Sequence, residues 1–228
     1  MSCLQSQKSL KVLIVISAPH LWNVEKRCIE SVMNQDAQDI HSIDFVIATN
    51  RGEAESSLKL EPKHLNRVTQ PVRHSYDYFF PMQSDIILPQ NALTVMLLEA
   101  NLNREAIILA LCSPRKSTLE EADREEGAAN HIRELSHYQC TMLNGRILQV
   151  NIDRIKEGKP FISEEQFYFG WNCCLIPSKI LREHPFTEDR SYDVTWSDEI
   201  QKAGIPVIID PRVKVGHIDR DGKVYYGF

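Results

Sequence analysis

Two short apolar runs, with one helical stretch between them, restrict the fold of this chain most. Val12–Ile16 is continuously apolar, and Ile43–Ala48 is nearly so. Runs of this length suit strands covered on both faces, as in a parallel sheet. Between them Leu21, Val24, Cys28 and Val32 recur at helical spacing, with Glu25, Lys26, Arg27 and Glu30 interleaved. Strand, helix and strand within about forty residues predict a βαβ unit, crossing right-handed into a parallel sheet. The first run closes on Ser17-Ala18-Pro19-His20, where Pro19 fixes the backbone. The second closes on Thr49-Asn50-Arg51-Gly52.

A third feature is the stretch Asp77–Pro89. Apolar residues run into one polar step, Gln83-Ser84-Asp85, and apolar Ile86–Leu88 follow. A carboxylate between two apolar runs is costly to bury unless something pairs with it, and a divalent cation is one such partner. Pro89 suits the first turn of the helix that Ala92–Leu98 predicts, and Ala106–Cys112 reads as another buried strand.

The remainder is mixed. Residues 53–75 are polar, with a helix expected among them. From Arg115 to His137 the chain is highly charged, which predicts a solvated helical excursion or a lid. Cys140–Leu143, Asn144-Gly145 and Arg146–Val150 carry a hairpin signal, because Asn-Gly suits a type I′ turn. Phe167–Ile176 reads as one strand with Gly170 in its middle, and Ser178–Glu183 as a short helix. Trp196, Ile200 and Ala203 share a helical face that Gly204 ends. Ile205–Ile209 and Val213–Val215 read as two strands with Pro211 as a corner, and Asp221-Gly222 as the turn of a last hairpin ending at Tyr225-Tyr226.

The 228 residues are 43% hydrophobic and 25% charged, the balance of a globular protein. A net charge of -5 gives no footprint for nucleic acid, and no apolar run nears the roughly 20 residues of a membrane span. Six cysteines without a Cys-x-x-Cys pair do not indicate structural zinc. With a polar Met1–Leu10 they lead us to expect a reducing cytoplasm and no signal peptide.

In order and spacing, Lys11 to Ile218 resembles the GT-A fold glycosyltransferases, the nucleotide-diphospho-sugar transferase superfamily. Ser17-Ala18-Pro19 resembles the family's turn against the nucleotide base, and Gln83-Ser84-Asp85 resembles its Asp-x-Asp step with Gln83 in the first position. Phe169–Ile180 resembles the glycine-bearing strand and short helix on the acceptor side. Tyr192-Asp193 ahead of Gly204 resembles the Glu-Asp step, with Tyr192 in place of Glu. Ile208–His217 resembles the closing strand pair that ends in a metal-binding His.

The resemblance implies an α/β fold in one domain over residues 1–228. Its sheet is mostly parallel with a smaller mixed sheet. The nucleotide-binding half covers about 11–112, and the acceptor-side half about 138–228. It implies transfer of a sugar from a nucleoside-diphosphate sugar to an acceptor hydroxyl, inverting rather than retaining. Asp85 and His217 would hold Mn²⁺ or Mg²⁺, a hard oxygen and an imidazole being a set suited to Mn²⁺. Ser17, Ala18, Pro19, Asn50, Gln83, Ser84 and Asp85 would line the donor, and Gly170 and Trp171 the acceptor. Asp193, with Asp198 second, would take the acceptor proton.

Each residue also has a plainer reading. Asp85 is then a turn residue, His217 an ordinary strand-end histidine, Asp193 a helix cap, Asp198 a solvated acid and Trp171 core. Two other functions stay open: an inactive binding or scaffold protein, and a sugar-phosphate nucleotidyltransferase. The second would want a Gly-rich basic loop that Ser17–His20 lacks.

Overall fold

In the computed structural model, Lys11–Ala18 (β1) lies at full register between Ser42–Thr49 (β2) and Tyr78–Gln83 (β3), parallel to both. The structure describes residues 9–18, 25–39, 41–49, 57–112, 140–141, 153–163, 168–169, 173–188, 192–219 and 221–225. Successive β1 side chains enter opposite cores. Val12, Ile14 and Ile16 pack on one face, Leu13 and Val15 on the other. The period-2 alternation of a strand therefore places apolar residues on both faces, which is why the run is continuous.

Beyond β3 come Ile86–Ile87 (β4), Ile107–Cys112 (β5), Cys140–Thr141 (β6), Phe161–Ile162 (β7), Tyr168–Phe169 (β8), Cys174–Pro177 (β9), Val207–Ile218 (β10) and Val224–Tyr225 (β11). The main sheet runs β11-β10-β5-β9-β3-β1-β2, with β4 and β7 also paired to β10. β5 and β10 are parallel, and β9 runs antiparallel between β3 and β5. β6 and β8 form a separate two-stranded sheet.

Among the described residues, helices flanking the main sheet include α1 (Lys26–Met33), α2 (Ser57–Thr69), α3 (Ala92–Leu102), α4 (Ser178–Glu183) and α5 (Tyr192–Lys202). α1 and α3 put Cys28, Val32, Leu93, Met96 and Leu97 into the core of one face. α2, α4 and α5 put Leu65, Ile180, Leu181, Trp196 and Ile200 into the other. The result is the α/β layering expected of a parallel-rich sheet.

Several sequence expectations are corrected. Phe167–Ile176 is not one strand: β8 and β9 lie in different sheets, and Cys173 at φ 58 stands between them. Cys173 and Cys174 do point into opposite cores. Ile205–Ile209 and Val213–Val215 are not two strands but parts of β10. Its register on β5 jumps between Asp210 and Lys214, so Pro211, lacking an N–H, needs no partner there. Pro89 stands in the turn before α3 rather than in its first turn, its carbonyl accepting from the Ala92 N–H at 3.0 Å.

Gly204 does end α5, at φ +73. The Ile205 N–H bonds the Ile200 carbonyl and the Gly204 N–H bonds the Gln201 carbonyl, the two bonds of a Schellman motif. Ala203 lies beyond the helix and is exposed. Asp221-Gly222 turns the β10–β11 hairpin, with Gly222 at φ +73. The charged run 115–137 and the Asn144-Gly145 turn lie outside the described residues.

His41 ties the start of β1 to the start of β2. It is buried, and its Nδ1 accepts the Leu10 N–H at 3.2 Å. Burial holds its pKa below the ordinary 6.5. The unfolded imidazole takes up a proton near that value, whereas the folded one resists until lower pH. Stability therefore falls as pH drops from about 6.5 toward the folded pKa, then levels off. His41→Asn, which can accept the same bond without titrating, should remove this component from urea melts at pH 8 and pH 5.5. An unchanged pH dependence would exclude His41 as its source.

Candidate functional site

The carboxyl ends of β1, β2 and β3 lie side by side, with Ala18 opposite Thr49 and Ser17 opposite Gln83. In open α/β sheets this edge is where ligands sit. β3 ends at Gln83, and Ser84 and Asp85 form a tight turn before β4. The Ser84 N–H bonds the Ser17 carbonyl at 3.1 Å, and the Glu25 N–H bonds the Ser84 carbonyl at 3.2 Å. The turn is thus fixed between the end of β1 and the start of α1.

β4 is only two residues long, yet it positions the site. It pairs antiparallel with β10, placing Ile86 opposite His217 and Ile87 opposite Gly216. The Ile218 N–H donates to the Asp85 carbonyl at 2.8 Å. Asp85 and His217, remote in sequence, are thereby brought together: His217 Nε2 lies 3.9 Å from Asp85 Oδ1. The side chains are 3% and 14% exposed.

That distance is longer than a hydrogen bond. Two ligands of one cation at about 2.1 Å stand roughly 3 Å apart when adjacent and roughly 4.2 Å apart when opposite. The observed 3.9 Å lies between the two spacings, nearer the second. A carboxylate oxygen and an imidazole nitrogen in a sheltered position fit a divalent ion whose other ligands come from water or a phosphorylated ligand. Among the described residues no three His, Cys, Asp or Glu side chains form a metal-ligand set.

Cys28, on α1 behind this turn, sets its Sγ 3.8 Å from the Gln83 carbonyl. Burial pushes its thiol up to about 12, so it stays protonated and inert.

The structure therefore gathers Ser17, Ala18, Gln83, Ser84, Asp85 and His217 at one edge. Asp198 instead pairs with Lys202 at 2.6 Å, one turn along α5. Asp193 is the second residue of α5, inside its first turn rather than at its cap, and only its backbone is described. Pro19, Asn50, Gly170 and Trp171 lie outside the described residues. Sequence reasoning passed over two side chains here. Asp219 is a buried acid two residues beyond His217. Arg27 Nη2 donates to the Gly222 carbonyl at 2.8 Å. A His-x-Asp step at a strand end could have pointed to the first; nothing local marks the second.

No protein-family model matches this chain, and no curated protein matches it by sequence. Among solved structures it is similar to A197 from STIV, with a TM-score of 0.55 and 14% identity over 95% of this chain and 94% of that one. It is also similar to GalNAc-T7, solved with UDP, GalNAc and Mn²⁺, with a TM-score of 0.57 and 11% identity. The chain has a GT-A-like fold. The second match covers 92% of this chain and spans 44% of GalNAc-T7. No helix of the described residues is long and apolar enough to cross a membrane.

Proposed function

We propose that this protein is a metal-dependent glycosyltransferase that moves a sugar from a nucleoside-diphosphate sugar to an acceptor hydroxyl. The observation that carries the reading is the approach of Asp85 to His217 at the carboxyl edge of the sheet. The likeness in fold to a glycosyltransferase solved with UDP and Mn²⁺ supports it.

Asp85 and His217 would hold Mn²⁺ or Mg²⁺. Bound there, the ion would neutralise charge that grows on the departing diphosphate. Ser17, Ala18, Pro19, Asn50, Gln83 and Ser84 would line the donor, within a nucleotide-binding half over about 11–112. Gly170 and Trp171 would meet the acceptor, in the half from about 138 to 228. Asp193 would orient the acceptor hydroxyl and take its proton, as an inverting transfer needs. Asp198 is the weaker candidate, because Lys202 already occupies it.

A thermal-shift series tests this. UDP, GDP, ADP and CDP are each added with Mn²⁺ or with EDTA. One of them with Mn²⁺ should stabilise the protein by about 2.7 kcal/mol at one hundred times its Kd, a shift of several degrees. Asp85→Ala and His217→Ala should abolish that shift while melting near wild type in EDTA. No shift with any diphosphate, or a full shift in Asp85→Ala, would exclude the reading.

A second reading is a protein of this fold that binds a nucleotide sugar without turnover. Gln83 favours it, since its carboxamide brings no charge to the first motif position. Donor binding without hydrolysis or transfer would select it.

A further inference from the structure

We infer that Arg27 is a positioning residue, locking the β10–β11 hairpin onto α1 and so holding His217 at its distance from Asp85. The inference rests on the cation reading above. His217 and Ile218 are the last residues of β10, and among the described residues they make the two pairs of the hairpin, His217 with Tyr225 and Ile218 with Val224. β4 holds the other side of β10 at Gly216 and His217, whereas a two-stranded hairpin by itself is marginal in water. Its turn is closed by the Gly222 N–H on the Asp219 carbonyl, 2.8 Å, and the Asp219 N–H on the Lys223 carbonyl, 2.9 Å. These bonds shape the turn but do not fix it to the rest of the molecule.

α1 adds a contact to the turn from outside the hairpin. Its capping residue Glu25 bonds the Ser84 carbonyl, beside Asp85. Two residues on, Arg27 bonds the Gly222 carbonyl across the hairpin. The start of one helix thus grips both segments that meet at the site, and the Ile218 N–H to Asp85 carbonyl bond joins those segments directly.

The other long cation of this turn, Lys26, points away and pairs with Glu30 at 3.1 Å. Arg27 is 44% exposed, with Glu25 Oε2 4.0 Å from its Nη2. A surface ion pair of that kind contributes little. The bond to Gly222 differs, because its acceptor is the backbone of the turn that closes the His217 strand. A planar fork donor suits such a fixed acceptor better than a mobile ammonium does.

The test uses the full chain as wild type, Arg27→Gln and Arg27→Lys. Mn²⁺ affinity is read from the electron paramagnetic resonance of the free ion, and hydrogen exchange at the Ile218 amide is measured in EDTA. Arg27→Gln should weaken Mn²⁺ binding about tenfold, as loss of a group that orients a ligand does. It should also speed Ile218 exchange several-fold while β1 amides keep their protection. Arg27→Lys should recover part of both.

An unchanged Ile218 amide in Arg27→Gln overturns the lock, whatever Mn²⁺ does. Unchanged Mn²⁺ affinity beside a wild type that binds the ion overturns its link to the site. A wild type that takes up no Mn²⁺, alone or with any of the four nucleoside diphosphates, removes the proposed function instead, and the exchange result alone then decides the lock.

Discussion

Trp196→Ala will destabilise the protein by about 4 kcal/mol, lowering the melting temperature by on the order of 10 °C. Trp196 is fully buried at the centre of the core beneath α2, α4 and α5. Its ring meets Phe169 edge-on at 5.9 Å between centroids and Phe186 at 5.2 Å. Its Nε1–H donates to the His184 carbonyl at 3.0 Å. Truncation leaves a cavity between three elements that are held elsewhere and cannot all collapse into it. It also leaves the carbonyl without this donor. Trp196→Phe separates the two effects: most of the volume stays, the donor goes, and the loss should be about 1–2 kcal/mol. Urea melts measure both. A loss under about 1 kcal/mol for the alanine variant would show that the core around α5 is not packed as described.

Arg212→Met should cost about 3 kcal/mol. Asp210 is fully buried at the irregular point of β10, and Arg212 grips it through Nε at 2.8 Å and Nη2 at 2.6 Å. The same Nη2 reaches Glu99 Oε2 at 2.8 Å, tying the strand to α3. The partly exposed guanidinium gives up less hydration than the acid does, so the damage lies in the carboxylate left behind. The double variant Arg212→Met with Asp210→Asn should therefore be more stable than Arg212→Met alone, a coupling that a double-mutant cycle isolates. Additive losses would show that the two side chains act independently.

The central strands were legible because burial on both faces writes itself as an unbroken apolar run. β1, β2, β3 and β5 fall where such runs lie, and Ser178–Glu183 is helical as read. The GT-A-like fold was legible for the same reason, through the order of those runs. What failed depended on contacts between remote segments. The Phe167–Ile176 run is as apolar as a single strand, yet Cys173 leaves the extended region and delivers the chain to another sheet. β10 reads as two strands because Pro211 breaks the pattern, while pairing to β5 resumes beyond it. The approach of Asp85 to His217 was expected through the family resemblance alone, because the two-residue strand that sets it has no composition of its own. The Arg27 contact spans nearly the whole chain, and no window along the sequence contains both ends.

The irregular step in β10 decides which face of the sheet its later side chains occupy. Before it, the odd-numbered Val207 and Ile209 enter the core beneath α5, and Ile208 enters the core beneath α3. After it, the odd-numbered Val213 and Val215 enter the α3 side. The three residues without partners on β5 have exchanged the strand's two faces. His217 continues the later series. A strand of the same composition with uninterrupted pairing would present that imidazole to the opposite layer, because a slip of one residue inverts every position beyond it. The parity of a short unpaired insert, set far upstream of the histidine, therefore decides which side of the molecule the imidazole serves.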